Sequence, residues 1–353
     1  MSLPRLEQSI VIGSIQTKVG PVPQISSTLV WADRLGAYKA RWRINRMNYK
    51  IDPGLYALGK PDDKAPVVVT ANYKMTIDRL RQALTGRDLW ILVLDTRGIN
   101  VWCAAGKGTF GTKELIDRIG SSGLVNVVSH RELILPQLAG PGVSAHLVKK
   151  ASGFKVIYGP IRAEDLPAFL DVGYKTTPEM RLKTFTTKER VVLIPVELVG
   201  AFKVALIVLP IIFLIDSRWG TGSFWSNGWG HGLYSVLAVL TAILAGAVLT
   251  PLLLPWLPGR AFSFKGMVLG ILATVGFMAF RGAGLGTWAD RLEMATWCFV
   301  IPAISAYLAM NFTGASTYTS LSGVKREMHR AVPLQIGAGI LGLGLWLGSH
   351  FIS

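Results

Sequence analysis

Cys103 is the residue in this chain with the widest chemical reach. It follows Trp102 directly and precedes the run Ala104-Ala105-Gly106-Lys107-Gly108, and such small residues let a backbone lie against a flat ligand. The chain has 353 residues and only two cysteines, Cys103 and Cys298, too few for a disulfide framework or a cysteine-built zinc or iron–sulfur site. Read alone, Cys103 stays open between a buried structural thiol and a soft ligand. The run AAGKGT is not a phosphate loop: the position five residues before Gly106 is not glycine, and Gly108 stands where Ser or Thr is required, so nucleoside triphosphate chemistry is disfavoured.

The elements that would hold this motif alternate between strand and helix. Pro66–Thr70 and Leu89–Leu94 read as buried strands, and Thr76–Leu84 carries Ile77, Leu80 and Leu84 at helical spacing. Gly111–Ile119 reads as a helix with Thr112 as N-cap. Leu124–Val128 reads as a strand, with Ser129 and Glu132 at capping-box spacing for a helix after it. Phe154–Tyr158 is a further strand and Ala163–Leu170 a short helix. This order predicts an α/β domain built on a parallel sheet, whose ligands bind beyond the carboxyl ends of the strands. The loops that matter are then Thr70–Thr76, Asp95–Gly111 and Gly159–Ala163. The predicted organisation is a polar, proline-containing N-terminal segment (1–60), the α/β domain (61–175), a linker (176–193) and a membrane domain (194–352).

The chain is 50% hydrophobic and carries a formal charge of +16. Of its 37 Lys/Arg and 21 Asp/Glu, nine and five lie after residue 190, so the first 190 residues hold +12 of that charge. Excess positive charge beside a membrane suits anionic lipid or acidic partners better than nucleic acid, which is disfavoured. Five stretches are long enough to cross a bilayer, about 194–215, 233–257, 261–280, 294–312 and 331–352. Arg181, Lys183, Lys188, Arg190, Arg260, Lys265, Lys325, Arg326 and Arg330 fall on one side and Arg218, Arg281 and Arg291 on the other. This bias predicts a cytoplasmic N-terminal domain at the inner membrane and an outside C-terminus. The N-terminus shows no signal-peptide pattern. Glu197, Lys203 and His350 lie near span ends, where anchoring explains them, and the glycines of the last span suit close helix packing. Cys298 reads as a small buried hydrophobe.

The string Asn100-Val101-Trp102-Cys103-Ala104-Ala105-Gly106-Lys107 (NVWCAAGK) matches the signature of the HgcA family of mercury-methylating corrinoid proteins. VVVTANYKMT, LDTRGINVWCAAGKGTFGT and SGFKVIYGPIRAEDLP also resemble that family's corrinoid-binding domain, and a tail of five spans resembles its architecture. The resemblance implies a Rossmann-like α/β corrinoid-binding domain followed by an all-α transmembrane domain of five helices. It implies a cobalamin-type corrinoid whose cobalt takes Cys103 as an axial thiolate ligand, a soft and strongly donating group. That donation favours loss of a methyl group with its electron pair to inorganic Hg(II), giving methylmercury. Asn100, Val101, Trp102, Cys103, Ala104, Ala105, Gly106 and Lys107 would line the cofactor. Thr70, Thr76 and Ala163 are assigned to the pocket by loop position and general likeness. Trp102 is either a wall against the macrocycle or core, Asn100 either orients the loop or bonds corrin amides, and Lys107 is either a cofactor contact or a solvated lysine. His130 and His146 lack the Asp-x-His-x-x-Gly surroundings of a histidine-ligated cobalamin. The implied partners are an HgcB-like, ferredoxin-like iron–sulfur reductant, a methyl-donating methyltransferase, Hg(II) as substrate, and membrane lipid.

Overall fold

The computed structural model describes residues 3–219, 222–282, 287–312 and 321–352. Two compact units divide the chain, Met1–Thr184 and Phe185–Ser353.

The first unit is a seven-stranded mixed sheet with the order β1-β2-β3-β5-β4-β6-β7. Its centre is β4 (Val67–Ala71) and β5 (Leu89–Leu94). β5 is a continuous apolar run and β4 is apolar except for Thr70, and both are buried on both faces, as central strands are. β6 (Glu132–Leu135) and β7 (Lys155–Tyr158) extend it in parallel. One face packs Val69, Leu92 and Leu133 against α3 (Val101–Lys107), α4 (Thr112–Ser121) and α5 (Ala145–Ser152). The other packs Val68, Ile91 and Ile134 against α2 (Lys74–Ala83) and α6 (Leu166–Asp171). The chain leaves β4 by α2 toward β5, and leaves β6 by α5 toward β7 on the opposite face. The topological switch point therefore lies between β4 and β6, where open α/β sheets bind ligands.

Four expectations are corrected. Residues 1–60 supply β1 (Val11–Thr17), β2 (Gly20–Ile25) and β3 (Gly54–Leu58) to the same sheet, with the helix α1 (Trp31–Arg41) between the last two. Pro21 and Pro23 are tolerated because β2 pairs with β3 only at Gln24 and Ile25, leaving the prolines one-sided. The sheet is not all parallel, since β1 runs antiparallel to β2 and β3 to β5. Leu124–Asn126 is a single 3-10 turn, not a strand, opened by Gly123 at φ 63°. Leu124 and the following Val127 and Val128 plug the core while Val125 is exposed, and Glu132 begins β6 where a helix cap was expected. Finally, residues 101–107 form a helix where a loop was predicted.

Among its described residues the second unit holds five helices long and apolar enough to cross a membrane: Thr187–Arg218, Phe224–Leu253, Phe262–Arg281, Trp288–Asn311 and Gly323–Ile352. The third and fourth meet closely at Gly266 and Gly270, where an added Cβ would stand 2.6 Å from Ser305 O and Pro302 Cα respectively. In the last span Gly342 is so placed, 2.5 Å from Val300 Cγ2, while Gly337, Gly339, Gly344 and Gly348 meet nothing within 4 Å. Cys298 is exposed on the outside of its helix, not buried. Trp219, Trp225, Trp229, Trp256 and Trp288 are all exposed, as interfacial aromatics are.

Candidate functional site

The site is assembled at the carboxyl end of β4 and β5. Asn72, the residue after β4, is 1% exposed. Its Oδ1 accepts from Thr96 N (3.1 Å), Thr96 Oγ1 (2.9 Å) and Gly98 N (3.0 Å), and its Nδ2 donates to Asp95 Oδ1 (3.0 Å). One side chain thus pins the turn that leaves β5. Gly98 sits at φ 72° with Met47 O 2.9 Å from where a Cβ would be, so that turn admits no side chain there.

Asn100 then caps α3: its Oδ1 accepts from Cys103 N at 2.9 Å, satisfying one of the helix's open donors. The motif is helical because Ala104 and Ala105 tolerate burial against the sheet while the cap fixes the start and Gly108, at φ 80°, ends it. Gly142, after β6, lies so close that a Cβ would stand 3.0 Å from Ala105 Cα and 2.2 Å from Phe110 O. The turn Gln137–Ala139 packs beside α3, and Gln137 Oε1 is a buried acceptor with no hydrogen-bond partner.

Cys103 is half-buried one turn into α3. Burial pushes its thiol above the ordinary range, while the Lys107 cation, a hydrogen bond with Asn100 and the Arg46 cation pull the other way without overcoming it. Left to itself the thiol is protonated at neutral pH. Coordination to a metal deprotonates such a group outright.

Of the predicted residues, the structure gathers Asn100 through Lys107 in one capped helix on one face of the sheet. Within it Val101, Ala104 and Ala105 are core, Trp102 and Cys103 half-buried, Gly106 and Lys107 exposed. Thr70 is a buried β4 residue in alternation with Val68, placing it on the opposite face, where α2 carries Thr76 and Ala163 packs against that core. These three are not brought against α3. Sequence reasoning missed Asn72, Arg46, Gln137 and Gly142, each joined to the motif only by folding. The signal for Asn72 was available, as a polar residue closing an apolar strand run.

Residues 44–170 match the family described as CO dehydrogenase/acetyl-CoA synthase delta subunit. The matched segment runs from before β3 into α6 and includes Asn72, Cys103 and Gln137. The chain is also similar to the acetyl-CoA decarbonylase/synthase complex subunit gamma of Methanopyrus kandleri, 33% identical over 124 residues, covering 35% of this chain and 26% of the relative. The subunit of the same name from Methanothermobacter thermautotrophicus is 25% identical over 170 residues, covering 47% and 37%. That of Archaeoglobus fulgidus is 29% identical over 128 residues, covering 36% and 27%. The chain thus spans only a quarter to somewhat over a third of the length of these relatives.

Proposed function

We propose that the chain is a membrane-anchored corrinoid methyl carrier of the HgcA kind, which passes a methyl group to inorganic Hg(II). The observation that carries this reading is the placement of NVWCAAGK: its cysteine, the unit's single thiol, lies in a capped helix at the switch-point edge of a delta-subunit-type domain. The residues fit a corrinoid. Gln137 Oε1 is a buried acceptor awaiting a donor such as a corrin side-chain amide, and Gly142 lets the backbone after β6 lie directly against α3. When bound, the corrinoid supplies a cobalt centre that carries methyl between donor and acceptor. Cys103 Sγ would hold the cobalt as a thiolate. Asn100 fixes the start of the helix bearing it, Trp102 stands beside it half-buried, and the exposed Lys107 favours the thiolate through its charge.

The unit is basic, with the five spans serving to hold it at the inner membrane, N-terminal domain inside. That charge suits an acidic, HgcB-like iron–sulfur reductant, and a methyltransferase would supply the methyl group. The test is the visible spectrum of the purified protein beside Cys103→Ala: the reading expects a corrinoid whose spectrum changes and methylmercury formation that falls below detection. Unchanged methylmercury formation in Cys103→Ala would remove the thiolate role.

A second acceptor is favoured by one observation, that the relatives are named for acetyl-CoA decarbonylase/synthase complexes. In that reading the corrinoid stays and mercury is an adventitious acceptor. Methyl transfer measured against Hg(II) and other soft acceptors in parallel separates the two.

A further inference from the structure

All five spans contribute a charged or imidazole side chain near one end of the helical unit: Asp216 and His231 from the first two, Arg281 from the third, Asp290 and Glu293 from the fourth, and His350 from the fifth. Six of the residues lining a cavity of about 50 Å³ there are Asp216, His231, Asp290, Glu293, Trp346 and His350. Such a volume admits a few waters.

The groups in this cluster are not equivalent. Glu293 is neutralised by Arg281, which approaches its Oε1 at 2.7 Å and donates to Oε2 at 2.8 Å, with His231 Nδ1 3.4 Å from the same Oε2. Asp290 is occupied in capping its own helix through Thr287. Asp216 is 2% exposed and, among the described residues, has no Lys or Arg side chain paired with it. Its Oδ1 accepts from Trp346 Nε1 at 3.0 Å and faces His350 Nε2 at 2.9 Å. Its Oδ2 is buried without a hydrogen-bond partner, on a residue that lines the cavity.

Donor arithmetic then fixes a proton. His350 Nδ1 lies 2.7 Å from Trp346 O, and a carbonyl oxygen only accepts, so Nδ1 carries hydrogen. Nε2 faces a carboxylate oxygen. With Nε2 bare and Asp216 ionised, two acceptors would oppose each other at 2.9 Å away from water, which costs the desolvation of both. One more proton must reside on the pair, on Nε2 or on the carboxyl.

We propose that Asp216 and His350 form a proton-binding site in the membrane unit, which holds one proton between carboxylate and imidazole and exchanges it with the cavity through Asp216 Oδ2. The proton passes to water in the cavity, the pair is left with one net negative charge, and no electrons move. Ionisable groups inside membrane spans mark such pathways. The second span is shaped to bring its groups close. Its stretch Gly228–Gly232 is a π turn, and a Cβ on Gly228 would stand 2.5 Å from Ser217 Oγ beside Asp216. Turns of this type gather at functional sites.

The test is ¹⁵N NMR of histidine-labelled full-length chain in lipid nanodiscs, with the His350 signals assigned by their loss in His350→Gln, together with infrared spectra of the carboxyl C=O stretch. The proposal expects, at neutral pH, either a His350 ring protonated on both nitrogens or a protonated-carboxyl band that Asp216→Asn removes, and reversible loss of that signal as pH is raised. Asp216→Asn keeps an acceptor for Trp346 and should leave a singly protonated His350. A His350 ring with one bare nitrogen and no such carboxyl band in the unsubstituted chain would overturn the proposal. So would a proton that fails to leave at any pH at which the chain remains folded.

Discussion

In the α/β unit, Lys74 and Arg81 of α2 meet Asp33 of α1 and Asp78 at 2.5 to 3.0 Å, all four buried. Arg81 spends Nε on Asp78, Nη2 on Asp33 and Nη1 on the carbonyls of Ser26 and Thr28. In the membrane unit, Asp216 is equally buried but leaves Oδ2 unmatched and shares Oδ1 between an indole and an imidazole. Both arrangements carry buried charge, yet only one is closed. A closed network fixes α1 against α2 and has no donor or acceptor left for a ligand. The open one has an acceptor to spare and a cavity beside it.

Breaking the closed network should have the largest effect. Arg81→Met leaves Asp33 and Asp78 to share the single Lys74 cation and should destabilise the α/β unit by about 3–5 kcal/mol, read as a lower denaturation midpoint, while Asp216→Asn should shift that midpoint far less. Equal shifts would erase the distinction. The network also sets an acid limit. Burial pushes the Asp33 carboxyl up, but hydrogen bonds from Lys74, Val30 N and Arg81 more than offset it and hold it below its usual value. Its contribution is present at neutral pH and is lost as pH falls below the ordinary aspartate range near ~4, so an acid titration of folding should steepen there and lose that feature in Asp33→Asn.

The next effect is at the turn before Cys103. Asn72→Ala leaves the Thr96 and Gly98 amides without their acceptor, a loss of roughly 1–3 kcal/mol, and should speed hydrogen exchange at Gly98 and Cys103 ahead of the rest of the sheet. Asn100→Ala removes the cap alone and should cost about 1 kcal/mol. The smallest effect is electrostatic. In a Cys298→Ser background, iodoacetamide labelling of the cofactor-free protein should give a Cys103 profile displaced to higher pH than a free thiol. Lys107→Gln should displace it further, because the lysine cation favours the thiolate. A displacement to lower pH would mean that burial does not govern this thiol.

Local pattern made β4, β5, β7 and α2 legible, since apolar runs and helical spacing are written in consecutive residues. β1 to β3 were not legible, because a short strand is defined by its partner, and β3 finds its partner β5 some thirty-five residues on. The same limit hid Arg46, Gln137 and Gly142, whose part in the site comes from loops far apart in the chain.

From sequence by itself came the two-part division, the five apolar helices and the singular position of Cys103, because composition and hydrophobic period act locally. Only the tertiary structure decided that the motif is a capped helix pinned by Asn72, that Thr70, Thr76 and Ala163 lie across the sheet from it, and that Asp216 and His350, 134 positions apart, share a contact. Those facts depend on which distant groups must satisfy one another once water is removed.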